Sequence, residues 1–236
     1  MEYIKKLTWD SDFFGFGIAQ LEELREVSDL IFADEFAKSN NIRLVQTLTD
    51  LKNTKFIEIL ENSGFHYVDT RVDFLMDLSK KENKNNQWFV ANESEIADIK
   101  SIADSLFIDS RFFYPIFDRV RANELYKLWA EKAVKGEFDN LCLKSTMDGT
   151  NEVTGFVTIR FLNNTDARIG LIGVSKDHLG KGIGTYLINS AITYLKENKF
   201  EKLYIATQGK NLGAINLYIK SGFKIKSMHN WFYKVY

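Results

Sequence analysis

The sequence has one cysteine, three histidines and one proline in 236 residues, and each scarcity closes off a chemistry. A single thiol, Cys142, rules out an internal disulfide framework and every cysteine-based zinc pattern. It lies in an apolar Leu-Cys-Leu run, the setting of a buried core thiol rather than of a nucleophile. His66, His178 and His229 are too scattered to offer metal-ligand spacing, so no metal is expected. Neither charge is in excess: 31 Lys and Arg face 32 Asp and Glu, a net charge of −1 with a pI near 6.3. Nothing therefore draws the whole chain to nucleic acid or to an anionic membrane, and any phosphate must be held by a local site. No apolar run approaches the ~18 residues that a membrane span needs. The N-terminal stretch places Asp10 and Asp12 ahead of a short apolar run with no small-residue cleavage site, unlike a secretory signal. The expectation is a cytoplasmic protein that engages neither membrane nor nucleic acid.

What is present is ample core material, 45% apolar residues, in a length between one and two domains of about 100–200 residues each. Strands are predicted over 2–8 and 13–21 around a turn at Trp9-Asp10-Ser11-Asp12. A helix over 27–39, a strand over 42–48, a helix from an Asn53 cap to Ser63 and a long alternating strand over 65–78 follow. Residues 79–87 carry no apolar side chain and read as a linker, dividing the chain into 1–82 and 88–236. After a short strand over 88–91 come helices over 93–106 and 122–134, separated by an irregular, aromatic-rich stretch, 108–120, that holds Pro115. Strands over 138–145, 153–161 and 167–174 lead to a glycine-rich loop and helix, a strand over 203–207, a helix over 211–221 and a last strand over 223–236. This alternation implies an α/β (α+β) protein layered about a mixed sheet.

The most informative stretch runs from Gly170 to Tyr194. Gly180, Gly182 and Gly184 alternate with Lys181 and Ile183, immediately before an apolar stripe of Ile183, Leu187, Ile188, Ala191, Ile192 and Leu195 at helical spacing. Such a turn aims bare N–H groups at one point where a helix begins, which makes an anion site. A glycine-rich turn is by itself also what an ordinary turn looks like. The string is neither GxxxxGK followed by Ser or Thr nor GxGxxG, so the two commonest nucleotide-phosphate loops fit poorly.

Residues Leu179 to Gly184 resemble the acyl-CoA loop of the GNAT N-acetyltransferase superfamily, Arg or Gln followed by x-x-Gly-x-Gly or Ala, with Leu179 in place of the first residue. Downstream, Asn211 to Phe223 is similar to the superfamily's Asn-x-x-Ala-x-x-x-Tyr-x-x-x-Gly-Phe element. The resemblance implies a mixed, mostly antiparallel sheet with flanking helices, acyl-CoA as co-substrate, and direct attack by an amine in a ternary complex. It assigns the pantetheine to Leu171, Ile172, Gly173 and Val174. The pyrophosphate falls to Leu179, Gly180, Lys181, Gly182, Ile183, Gly184 and Thr185, with further CoA contacts from Asn211, Ala214 and Tyr218. The Val174 N–H becomes the oxyanion donor and Tyr218 the general acid. His229, Asp166 and a water chain are all open as the base.

A feature independent of family is an internal repeat: Thr49–Phe65 lies on Thr207–Phe223 without a gap, sharing Thr, Lys, Asn, Ile, Ser, Gly and Phe. Residues 21–26, opposite the glycine loop, have no glycine and three acids, while Phe56 and Leu60 stand where the second copy has Ala214 and Tyr218. The first half therefore reads as a degenerate copy that extends the sheet and walls the acceptor pocket.

Trp9 to Gly15 resembles the dTDP-fucosamine acetyltransferase group within the superfamily, as do Thr70–Phe74, Ser110–Phe113 and Leu125–Trp129; the Tyr114-Pro115 insert departs from it. That resemblance implies a nucleotide-linked amino-deoxysugar as acceptor. Trp9, Phe14, Phe112 and Phe113 would supply an aromatic platform, Arg71 and Arg111 cations for the diphosphate, and Asp10 a polar contact. The acyl group, acetyl or longer, the position of the amine and a homodimeric state stay open. So do a protein N-terminal acetyltransferase, an aminoacyl-transferring relative and a silent acyl-CoA sensor.

Overall fold

The computed structural model describes residues 3–22, 28–81, 86–106, 110–147 and 150–236. Its elements follow in the order β1 (Ile4–Lys6), α1 (Thr8–Phe14), β2 (Gly17–Leu21), α2 (Ser28–Ser39), β3 (Ile42–Asp50), α3 (Thr54–Asn62) and β4 (His66–Asp77). Then come β5 (Phe89–Val90), α4 (Ile96–Leu106), α5 (Arg119–Val134), β6 (Leu141–Thr146), β7 (Val153–Phe161), β8 (Asp166–Val174), α6 (Ile183–Glu197), β9 (Lys202–Gln208), α7 (Leu212–Ser221) and β10 (Lys224–Val235). Local chemistry sets many of these boundaries. Asn53 and Asn211 each accept the N–H three residues on, from Phe56 at 3.2 Å and from Ala214 at 3.1 Å, starting α3 and α7 in the same way. Parts of three expected features, the acidic stretch opposite the glycine loop (23–27), the linker (82–85) and Ile108, lie outside the described residues.

The chain departs from expectation at Trp9–Asp12. Instead of a turn between two strands there is a short helix, α1. Asp-Ser-Asp reads locally as turn chemistry, but the Ser11 hydroxyl donates to the Leu7 carbonyl at 2.7 Å and Gly15, at φ +78°, closes the helix. Phe14 then buries its ring among Phe13, Phe16, Phe112 and Phe117, so tertiary packing outweighs the local preference.

Among the described residues ten strands make one sheet, ordered β1-β2-β3-β10-β4-β9-β8-β7-β6-β5. It is antiparallel except where β2 meets β3 and β8 meets β9. The two repeats are laced together: β10 lies between β3 and β4, and β4 lies between β10 and β9. Read from either side, β3-β10-β4-β9 has the same form once β3 is exchanged with β9 and β4 with β10.

Helices α6 and α7 cover one face of this centre. Leu187, Ile188, Ala191, Ile192 and Leu195 of α6 pack on Val157, Ile159, Ala167, Ile169, Leu203 and Ile205, with Phe74 and Phe223 closing the layer towards α7. Burial alternates along the first part of β8: Ala167 and Ile169 point into this core, while Asp166, Arg168 and Gly170 stay partly exposed and Leu171 packs on the opposite face with Ile99, Tyr126 and Phe156. The polar positions of β8 therefore face the other way, towards α1, α5 and the loop between α4 and α5.

Candidate active site

The two parallel strand pairs behave differently. β2 and β3 remain paired from Gly17 to Leu21. β8 and β9 pair only at Asp166 with Lys202, Ala167 with Leu203 and Arg168 with Tyr204, and beyond that they part. On the other side of β8, the Ser175 N–H bonds the Thr154 carbonyl at 2.9 Å, which makes Gly155 and Val174 a non-hydrogen-bonded pair of the antiparallel ladder. The amide and carbonyl of Val174 thus turn away from β7 into the opening, and those of Ile172, two residues back, turn the same way. A strand edge with free polar groups inside a sheet is a docking place for an extended amide-containing chain.

A register shift helps to shape this edge. Between Val157 and Ile159 of β7, β8 carries one extra residue. Thr158 fills the irregularity: its hydroxyl donates to Asp139 Oδ2 at 2.5 Å and accepts from the Leu171 N–H at 2.8 Å. The Trp129 indole N–H also donates to Asp139 Oδ2, at 2.9 Å. Gly170 is required here because a Cβ would stand 2.2 Å from that carboxylate oxygen.

At the head of the opening Gly182 is the N-cap of α6 with φ +83° and no side-chain cap, so the N–H groups of Ile183, Gly184 and Thr185 have no partner within the helix. Gly180 and Gly182 both have positive φ and open space where a side chain would project. Among the described residues nothing comes within 4 Å of where a Cβ at either glycine would stand.

The opening leads into a cleft of about 1070 Å³ lined by elements of both halves. From the expected set, Trp9, Asp10, Arg71, Arg111, Phe112, Leu171, Ile172, Gly173, Val174, Leu179, Gly184, Asn211, Ala214 and Tyr218 line it together. Gly180, Lys181, Gly182, Ile183 and Thr185 build the loop and first helical turn between the lining residues Leu179 and Gly184. Phe14 does not reach the cleft; it is buried beneath Phe112, their rings 5.4 Å apart. Phe113 also lies outside the lining, under the Arg119 guanidinium. Neither His229 nor Asp166 lines the cleft: His229 Nδ1 sits 3.2 Å from the Asp73 carboxylate without hydrogen-bond geometry, and Asp166 accepts from the Tyr204 hydroxyl at 3.3 Å.

Tyr218 lies on the first two turns of α7, its ring edge-on to Phe74 at 5.5 Å. It is 4% exposed, and burial pushes its phenol well above the ordinary tyrosine range. It therefore stays protonated at neutral pH, the state from which a general acid acts. At the equivalent places in the first repeat, Phe56 and Leu60 are packed in the core below β3.

Two of the expected cations are already engaged. Arg71 donates to Asp73 Oδ1 through Nε and Nη2 at 2.9 and 2.6 Å. Arg111 donates to Gln46 Oε1 at 2.7 Å and to the Tyr233 hydroxyl at 2.5 Å, between the rings of Phe112 and Trp231 at 4.1 and 4.2 Å. Burial raises the carboxyl of Asp10 despite the opposing charge of Arg111. Cys142 is buried, and its thiol, pushed up to about 12 chiefly by burial, is no nucleophile. Lining residues that the sequence did not single out include Asp139, Arg160, Arg168 and Trp231. Arg168 carried a signal: a lone arginine on the polar side of an otherwise apolar alternation.

Residues 106–223 match the model of the Acetyltransferase (GNAT) family. The chain is 31% identical over 231 residues to the dTDP-fucosamine acetyltransferase of Escherichia coli O6:H1, covering 98% of this chain and 97% of that one. Among solved structures, a GCN5-related N-acetyltransferase from Sphaerobacter thermophilus superposes with TM-score 0.69 at 12% identity, over 98% of this chain and 76% of that one. A tandem GNAT protein from the clavulanic acid biosynthesis pathway gives 0.65 at 13% identity, over 92% and 75%. The structural matches extend the likeness in fold across both repeats.

Proposed function

This chain belongs to the GNAT acetyltransferase family and is an acyl-CoA-dependent N-acyltransferase; from that premise we propose that it acylates the amine of a dTDP-linked 3- or 4-amino-dideoxyhexose, a step that feeds a surface polysaccharide. In this reading the CoA pyrophosphate lies on the bare N–H groups of Ile183, Gly184 and Thr185, and the pantetheine runs along Ile172 and Val174 in the gap between β8 and β9. The acceptor nitrogen attacks the thioester carbonyl, whose oxygen becomes an oxyanion held by the Val174 N–H. On collapse the carbon–sulfur bond breaks, the amide remains, and the Tyr218 phenol gives its proton to the departing thiolate. The proton lost by the amine leaves through water, and water returns a proton to the Tyr218 phenolate.

Residues 1–82, as a degenerate copy, supply one wall of the acceptor chamber through Trp9, Asp10, Asp69, Thr70 and Arg71. Trp9 stands 38% exposed on Phe13 and offers a ring face to a base. One observation carries the proposal: a single cleft joins the strand gap and Tyr218 to an aromatic and arginine-lined chamber built partly by the first half. That design suits an acceptor with a planar base and negative charge, as does the near full-length similarity to an enzyme named for a dTDP sugar.

The test is mass spectrometry of products from the purified protein, acetyl-CoA and longer acyl-CoAs, with dTDP-linked 3- and 4-amino sugars beside nucleotide-free amines and peptides. A mass gain of one acyl group on a dTDP-amino sugar is expected. Turnover confined to nucleotide-free amines would refute the acceptor, and CoA binding without turnover on any amine would make the protein a sensor.

A further inference from the structure

Arg160 and Arg168 are direct partners across the β7–β8 ladder, so their side chains leave the same face of the sheet side by side. Both line the cleft. Two like charges placed opposite each other weaken a strand pair, and among the described residues neither guanidinium makes a hydrogen bond or ion pair; the Asp139 and Asp73 carboxylates offset the charge of Arg168 only from a distance. Arg71, on β4 and also lining, is close enough to add to the repulsion, while its own charge is balanced by Asp73. Burial and the neighbouring arginines together make the charged form of Arg168 less comfortable than usual. Such an arrangement is costly in the free protein and becomes favourable once an anion with several oxygens sits between the two forks.

We propose that Arg160 and Arg168 form the anion subsite of the acceptor, taking a diphosphate. The inference rests on the reading of the acceptor as a nucleotide-linked amino sugar and names the residues that hold its charged group. The phosphates of CoA are a poor fit for this place. At about 3.3 Å per residue, Arg168 stands roughly 20 Å along β8 from Val174, beyond which the glycine loop begins. A diphosphate on that loop does not reach the arginine pair.

Calorimetric titration of thymidine diphosphate and of inorganic pyrophosphate into the intact protein tests this, comparing wild type with R160Q/R168Q, each with and without saturating CoA. With CoA saturating the glycine loop, wild type binds both anions and the double variant binds them on the order of 10- to 100-fold more weakly. The KM for a dTDP-amino sugar rises by a similar factor while that for acetyl-CoA stays within about twofold. The free variant melts at the same temperature or higher, because like charges have been removed; a merely structural pair would lower it. Unchanged anion affinity in the CoA-saturated variant overturns the proposal, and so does the absence of anion binding to CoA-saturated wild type. The two readings fail separately. Acylation of the dTDP-amino sugar with a KM indifferent to both arginines leaves the acceptor standing and removes the subsite. Arginine-dependent anion binding without acylation of any dTDP-amino sugar leaves the subsite and removes that acceptor.

Discussion

Replacing Tyr218 by Phe separates a catalytic phenol from a core ring. The substitution keeps the ring that packs on Phe74 and Phe223, at 5.5 and 6.0 Å, and deletes only the hydroxyl. That hydroxyl makes no hydrogen bond with a described residue and is not one of the fully buried unpaired polar atoms, so its loss forfeits no bond and leaves no partner orphaned. The stability of Tyr218→Phe should therefore equal or exceed that of wild type. The reaction loses the proton donor for the thiolate, worth about 10²- to 10⁴-fold in rate. Steady-state assays should show kcat down at least 100-fold, with CoA affinity by titration within about twofold. The phenol also has a signature in stability. Its folded value is raised, so it contributes stability that is complete below the ordinary tyrosine value of about 10 and is lost as pH rises above it. Tyr218→Phe should lose less stability than wild type between neutral pH and strong alkali. A variant with wild-type kcat, or one that melts several degrees lower with its kcat loss tracking unfolded protein, would refute the assignment of the acid.

Gly182→Val should weaken CoA binding at least tenfold in titration, because a β-branched residue resists φ +83° and its side chain would enter the space left for the ligand; undiminished affinity would remove the loop from the CoA site. Gly170→Ala, with a Cβ 2.2 Å from Asp139 Oδ2, should break the Thr158 and Asp139 contacts at the bulge, lowering stability by about 1–3 kcal/mol in denaturant melts together with activity. Lys100 and Lys135 hold the Glu131 carboxyl down to about 2, so its contribution to stability is complete above the ordinary glutamate value and drains away as pH falls from there towards 2. Glu131→Gln should accordingly narrow the gap to wild type in acid melts, and a constant difference from pH 7 to pH 3 would show that the pairing contributes nothing.

Much of the fold was written locally. The caps at Asn53 and Asn211, the glycine loop and the alternation along β4 each depend on residues a few positions apart, and these elements lie within a residue or two of expectation. Trp9–Asp12 misled because Asp and Ser favour turns, whereas the helix there is held by Gly15 and by an aromatic cluster assembled from distant segments. The glycine loop and the Asn211–Tyr218 helix, proposed to hold CoA, were legible as local structure for the same reason as the caps, since each is contiguous. The chamber at the other end of the cleft was not. Arg160 and Arg168 become a pair only through strand register, Trp231 arrives from β10, and Asp139 matters because a bulge two strands away needs a carboxylate. Phe14 shared a motif with Trp9, but neighbours on one short helix point in different directions, and only Trp9 faces the cleft.

The lacing of the two repeats governs how the molecule can be made. When the chain has been synthesised through β4, neither β3 nor β4 has its central neighbour, since both pair with β10, whose first residue is Lys224. Their open edges must wait through the production of everything between, unable to close on each other without creating a wrong sheet. Folding therefore cannot proceed half by half from the ribosome, and the slowest step is expected to be insertion of β10 into its slot. A nascent chain stalled before Lys224 would offer two unsatisfied strand edges to chaperones or to other copies of itself.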